Sequence, residues 1–353
     1  MSLIGPLCIV IASTIFITRR QIVYWLHLFG DEKGNESLYL DADFDGKKTF
    51  FLIDTAYAGA PVLSLSYLSK LQMHKRYLTR GSVKKRFAYT MELLREQTSD
   101  KLMHESLRRF SDTSRCRSFT SGCTMRLMGI GTTNEARSDM FLCPPLKLKG
   151  PNLIPKGWDA DVFVTNPLHG STHIITADYL LHRSPAVIQI SKGRLLLNAR
   201  NHPTHRYDKF PAEMAGGAFI VPIKIGGEIL KVVVDTGASV AISLGKESGK
   251  KIKDCKATNR NLHQGGVNGE KICSDIIVTT VQLGKEVFEN IQLVVNSMDV
   301  SGADGYMGMG LLRAFDLYID RDVIGFKRNG MKVHDIRSFT EGKCKTSSVQ
   351  CKK

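Results

Sequence analysis

Residues 231–239 read Lys231-Val232-Val233-Val234-Asp235-Thr236-Gly237-Ala238-Ser239, an apolar run that ends on a carboxylate. A second Asp-Thr, Asp54-Thr55, follows the apolar run Phe50-Phe51-Leu52-Ile53. The two lie about half a chain apart. A carboxylate repeated at two strand ends suits a site in which two Asp side chains share one proton. Such a pair can activate a water.

The surroundings repeat as well. Residues 38–53 alternate as two strands around the turn Asp45-Gly46-Lys47-Lys48, a hairpin that delivers Asp54. In the second half, Ala218-Phe219-Ile220-Val221-Pro222-Ile223-Lys224-Ile225, a Gly226-Gly227 turn and Ile229-Leu230-Lys231-Val232-Val233-Val234 deliver Asp235. Each half then carries a strand, a glycine-bearing tip and a strand. Gly129-Ile130-Gly131-Thr132 marks the first tip and Gly265-Gly266-Val267-Asn268-Gly269 the second. Each half also ends alike, on Ala186-Val187-Ile188-Gln189-Ile190 in one and Phe315-Asp316-Leu317-Tyr318-Ile319-Asp320 in the other. A repeat this long predicts two homologous lobes, not a solenoid.

The predicted lobes span residues 38–197 and 215–337. Between them, residues 198–214 are polar and hold two prolines, the composition of an interlobe linker. Residues 70–121 break the symmetry. They are rich in Lys and Arg, with apolar residues at helical spacing around Leu93-Leu94 and Leu102-Met103, so a basic insert of surface helices is expected in the first lobe. Residues 338–353 read as a disordered, lysine-rich tail.

Residues 3–18 carry no charge and are followed by Arg19 and Arg20. The run is near the short end of a spanning helix, and the arginines can extend it by snorkelling. The next stretch, Gln21-Ile22-Val23-Tyr24-Trp25-Leu26-His27-Leu28-Phe29, has the composition of a headgroup-level segment. Residues 1–29 are therefore read as an uncleaved single-pass membrane anchor. The arginine pair then places the main body in the cytosol by the positive-inside tendency.

The formal net charge of the 353-residue chain is +15, which permits an acidic partner but also describes a plain basic surface. Nucleic acid is not expected as a partner. The 8 cysteines form no CxxC pair, so no metal site is expected. Cys255 and Cys273 could be bridged in an oxidising compartment; free thiols are the default in a cytosolic one.

These residues together resemble the pepsin and retropepsin superfamily of aspartic proteases. Val232-Val233-Val234-Asp235-Thr236-Gly237-Ala238-Ser239 is similar to its active-site loop. Gly265-Gly266-Val267-Asn268-Gly269 is similar to a retropepsin-type flap, and Met307-Gly308 with Leu311-Leu312 to the element bracing that loop. The resemblance spans residues 38–335 and implies an all-β, bilobal, pepsin-like double β-barrel. It implies Asp54 and Asp235 as the catalytic dyad, with Thr55, Thr236 and Gly237 supporting the loops. Gly129, Gly131, Thr132, Gly265, Gly266 and Val267 would form flaps over a polypeptide substrate. It implies peptide hydrolysis with no cofactor, no metal and no covalent acyl-enzyme. With both loops in one chain, a monomer suffices.

The first half departs from the family pattern. Ala56 stands where Gly is expected, Tyr57-Ala58-Gly59 follows, and Thr176 replaces the bracing Gly. The first flap lacks the tyrosine typical of pepsins. These departures keep a second reading open, a weak or inactive peptide-binding protein on a protease scaffold. Tyr57 and Ala238 occupy the positions where pepsins carry a short hydroxyl, so an optimum of roughly pH 5–6 is expected rather than a strongly acidic one.

Overall fold

The computed structural model describes residues 22–57 (except 31–35 and 45–46), 62–64, 124–127, 136–139, 147–148, 163–165 and 173–334 (except 183–184, 216–217, 266–270, 298–299 and 301). The hairpin that delivers Asp235 consists of strands Ala218–Ile225 and Glu228–Val234 in antiparallel register, with Ile225 opposite Glu228. Gly226 and Gly227 have φ of 52° and 88°, the left-handed pair that a two-residue hairpin turn demands. Glu228–Val234 also pairs in parallel with Gly305–Met307, so it is internal to the sheet. Covered on both faces, its end can be continuously apolar: Val232, Val233 and Val234 are all buried.

The first half follows the same plan. Strands Glu36–Phe44 and Lys47–Asp54 form an antiparallel hairpin, and Lys47–Asp54 pairs in parallel with His173–Thr176. Phe51 and Ile53 from this strand share one core cluster with Val232, Val234, Met307 and Leu311 from the other half. The hydrophobic core therefore runs beneath both Asp-bearing strand ends.

The chain is all-β, with short helices at Ala177–His182, Lys246–Gly249 and Met309–Leu312 among the described residues. An 8-stranded sheet is built from residues 213–307. Among the described residues a 12-stranded sheet joins the halves. In it Phe315–Ile319 pairs with Ala186–Gln189, so the strands that end the two halves lie side by side. The two halves are thus stitched by a common sheet.

Two expectations give way here. The stretch 198–214 is more than a linker: Asp208–Pro211 is an edge strand on Val323–Arg328, and Glu213–Ala215 pairs with Ala218–Ile225. Phe210 stacks edge-on against Phe326 at 5.7 Å, which anchors that edge, and Pro211 is tolerated because an edge strand leaves one side unpaired. The second correction concerns residues 22–29. Ile22–Gly30 is a strand between Arg194–Leu197 and Glu36–Phe44, not a headgroup segment. Tyr24 and Leu26 point into the core while Trp25 is 41% exposed, the period of two of a half-buried strand. Aromatic and apolar composition suits a bilayer interface and such a strand equally; the alternation tells them apart. Among the described residues no helix is long and apolar enough to cross a membrane. Residues 1–21, the basic insert 70–121 and the tail 338–353 lie outside the described residues.

Candidate active site

The two Asp-bearing strands end facing each other, and their loops interlock. Thr55 Oγ1 donates to the Val234 carbonyl at 2.7 Å, and Thr236 Oγ1 donates to the Ile53 carbonyl at 2.6 Å. Each hydroxyl also accepts the other threonine's amide, both at 3.1 Å. Both threonines are fully buried, so all four hydrogen bonds are shielded from water.

Within each loop the carboxylate is held by its own backbone. Asp54 Oδ1 accepts from the amides of Ala56 and Tyr57, each at 3.0 Å. Asp235 Oδ1 accepts from Gly237 at 2.8 Å and Ala238 at 3.1 Å. The loops are thus related by a local twofold. The two carboxyl groups face each other within hydrogen-bonding reach, and each perturbs the other's titration.

Burial raises both carboxyls above the ordinary range. For Asp54 burial is opposed by the amides of Ala56 and Tyr57 and by the hydrogen bond from Asp235. For Asp235 burial is reinforced by the neighbouring Asp54 charge, which pushes it well above the ordinary value. The pair is built to share one proton.

Gly237 is required by this geometry. A Cβ there would lie 2.7 Å from Asp54 Cγ and Oδ2 and 3.1 Å from Asp235 Oδ1. Met307 and Gly308 brace the second loop: Asp235 N donates to Met307 O at 2.9 Å, and Met309 N donates to Ala238 O at 2.7 Å. At Gly308 a Cβ would meet Val240 O at 2.4 Å and Ala238 O at 2.7 Å.

The first lobe does without that glycine. Thr176 occupies the matching position, fully buried, and the matching bond from Ala177 N to Tyr57 O stretches to 3.4 Å. The brace is thus longer in the lobe that carries Thr176 than in the lobe that carries Gly308. Ala56, at the position matching Gly237, packs against an apolar cluster of the second half that includes Ala218, Ile220, Leu262 and Tyr306.

Of the flap residues, Gly265 ends the strand Cys255–Gly265, which pairs with Lys271–Leu283 as a long hairpin. Gly129, Gly131, Thr132, Gly266 and Val267 lie outside the described residues. Cys255 and Cys273, expected free in a cytosolic chain, are both disulfide-bonded. They are not bonded to each other, because Cys255 stands opposite Thr279 while Cys273 stands opposite His263. Six residues of strand separate Thr279 from Cys273, roughly 20 Å and far beyond disulfide reach.

Sequence reasoning passed over two residues. Asp304 clamps the strand leading to Asp235: Lys231 N donates to Asp304 Oδ2 at 2.8 Å, and Asp304 N donates to Lys231 O at 2.7 Å. Its signal was Asp304-Gly305 just ahead of Met307-Gly308. The Tyr57 hydroxyl is buried and unpartnered among the described residues, and burial together with the Asp54 charge raises its pKa, so it stays protonated.

Residues 221–311 match a family model described as aspartyl protease. No curated protein matches the sequence. Among solved structures, a retropepsin-like aspartic protease from Rickettsia conorii is 25% identical over 35% of this chain and 94% of its own, with a TM-score of 0.24. EIAV protease complexed with the inhibitor HBY-793 is 18% identical over 27% of this chain and 86% of its own, TM-score 0.24. Basic 7S globulin from soybean is 10% identical over 91% of this chain and 99% of its own, TM-score 0.45. With one Asp-Thr loop inside the matched segment and a second locked onto it, the chain has a fold of the pepsin and retropepsin type and carries an aspartyl protease-like domain.

Proposed function

We propose that the chain is an aspartic endopeptidase in which Asp54 and Asp235 activate a water against a peptide carbonyl. The observation that carries this reading is the pair itself: two carboxyls, one per loop, facing each other across the interlocked loops and each fixed by two backbone amides. Asp54, ionised, takes a proton from water as the water attacks. Asp235, protonated, donates to the carbonyl oxygen. Cleavage of a peptide library by the full chain, with and without pepstatin, tests it. Asp235→Asn should abolish cleavage, and undiminished turnover would place the chemistry elsewhere.

A second reading is a peptide-binding protein with weak or no turnover. It is favoured by the first loop, where Ala56 and Thr176 replace glycines and the bracing bond lengthens to 3.4 Å. Pepstatin-sensitive hydrolysis by the purified protein would eliminate it.

We also propose a membrane attachment and a monomeric active form. The apolar run 3–18 would anchor the chain in a membrane, and only residues 19–21 would then separate it from the first strand at Ile22. The arginine pair favours a cytosolic body, whereas the bridged cysteines favour an oxidising compartment. Asn35-Glu36-Ser37 is a glycosylation acceptor, so a glycan on Asn35 would fix the body on the lumenal side. A monomer should be active, because both loops come from one chain. Specific activity that falls steeply on dilution would contradict that.

A further inference from the structure

The sheet that joins the halves has a second face. Tyr24 and Leu26 of the strand Ile22–Gly30 enter the core that also holds Phe51, Ile53, Val232 and Met307. Trp25, between them, points the other way and is 41% exposed. Arg194 stands opposite Trp25 on the neighbouring strand, its guanidinium 5.5 Å from the indole centroid. Two residues further on the same face, Leu196 forms a small cluster with Val187, Ala199 and Tyr207. That cluster holds residues 199–207 down over this face. Lys209, two residues beyond Tyr207 on an edge strand, shares it.

The free charge on this face has one sign. Lys192, Arg194, Arg200, Arg206 and Lys209 are all exposed, and none is ion-paired among the described residues. The carboxylates of the face are already engaged. Asp41 lies 3.2 Å from His27, and Asp208 Oδ1 lies 3.6 Å from the Lys285 ammonium. Asp316 is buried and accepts from Ser191 at 3.3 Å, and Asp320 accepts from the Tyr318 hydroxyl at 3.1 Å.

We infer that this face rests on an anionic lipid surface, with the exposed cations at the phosphates and the Trp25 ring among the headgroups. The inference rests on the membrane attachment proposed above. Only residues 19–21 lie between the apolar run 3–18 and Ile22, a reach of about 10 Å. A run held in the bilayer therefore keeps the start of this strand within about one Debye length of the headgroups. Charge complementarity then selects the face that turns inward, because an unpaired basic surface is drawn to an anionic leaflet. An indole, apolar with one polar N–H, suits that interface. The strand itself stays in the sheet; only its outward side chain reaches the lipid. The core separates this face from Asp54 and Asp235, so the candidate site opens away from the bilayer and takes peptides from the aqueous side.

The test uses the full chain carrying Trp158→Phe, which leaves Trp25 as its single indole. The chain is reconstituted with vesicles of phosphatidylcholine alone or mixed with phosphatidylserine, their acyl chains brominated next to the headgroup. Trp25 emission should be quenched at least about twofold more by the mixed vesicles, and high salt should remove the difference. Arg194→Glu combined with Arg206→Glu should also remove it, without changing cleavage of a soluble peptide. A chain that floats with both vesicles while Trp25 is quenched equally overturns the inference and leaves the attachment standing. A chain that floats with neither overturns both. An indole that responds to RNA or to an acidic peptide, but not to the mixed vesicles, assigns the face to that partner and overturns the lipid surface. Quenching is read whether or not peptide is cleaved, so it stands apart from the protease reading.

Discussion

Thr55 and Thr236 exchange amide-to-hydroxyl hydrogen bonds at 3.1 Å in both directions, and each hydroxyl then donates to the strand that carries the other's aspartate. The dyad therefore depends on the lock: neither carboxyl can shift without breaking bonds in the opposite lobe. Thr236→Ala would leave the Thr55 amide and the Ile53 carbonyl buried without partners. An unmade buried hydrogen bond costs about 1–3 kcal/mol, so a loss of roughly 2–6 kcal/mol is expected by denaturant unfolding. Thr236→Ser keeps the hydroxyl and should recover most of the stability and the activity.

Gly237 and Ala56 should respond oppositely to change. Gly237→Ala places a methyl 2.7 Å from the Asp54 carboxylate, a distance that real Cβ atoms do not keep. The dyad must open or rotate. Peptide cleavage is expected to fall by at least about 100-fold, since a displacement of about 1 Å costs that much. Ala56→Gly should fold and remain active. Equal loss in both variants would mean that the two loops are not equivalent in the way the hydrogen bonds indicate.

The second lobe was easier to read than the first because its local chemistry is consistent. Three valines, an Asp, a Thr and a Gly each suit their place, and Met307-Gly308 supplies the brace. The hairpin turn at Gly226-Gly227 was legible for the same reason. The first strand was not. Tyr24-Trp25-Leu26 lies close behind an uncharged run, and composition outweighed the alternation that marks Tyr24 and Leu26 as core. Asp208–Pro211 was hidden by its polarity, since an edge strand needs only Phe210 to face Phe326. The shared sheet could not be read locally at all. It depends on Phe315–Ile319 finding Ala186–Gln189 across more than a hundred residues. The approach of Asp235 to Asp54 is likewise a product of tertiary pairing.

His173 should make the fold sensitive to acid. It lies against Phe51, with ring centroids 5.2 Å apart, and is 5% exposed. Burial lowers its pKa from 6.5 to about 4. Below the unfolded value the unfolded chain takes up a proton that the folded chain refuses, so stability falls as pH drops from 6.5 towards 4. A shift of that size corresponds to about 3 kcal/mol once both forms are protonated. His173→Phe should flatten the dependence of Tm on pH over this window. An unchanged slope would show that other groups set it.

The dyad itself should cost stability where it is ionised. Burial holds both Asp54 and Asp235 above the ordinary carboxylate range, and the Asp54 charge raises Asp235 further. A raised carboxyl keeps its proton in the folded state when the unfolded chain has already lost it. Stability from this source is therefore greatest at low pH and declines as pH rises through the dyad's own titration. Asp235→Asn replaces the shared proton with an amide donor to Asp54 and keeps an oxygen for the amides of Gly237 and Ala238. The variant should lose cleavage and yet melt a few degrees higher at neutral pH, the gain shrinking in acid. The same raised carboxyls set the working range of the wild type, with kcat/KM expected to peak at roughly pH 5–6 because the singly protonated pair survives to there. A peak below about pH 4, together with no gain in Tm for Asp235→Asn, would mean that a group outside the described residues donates to the carboxylates.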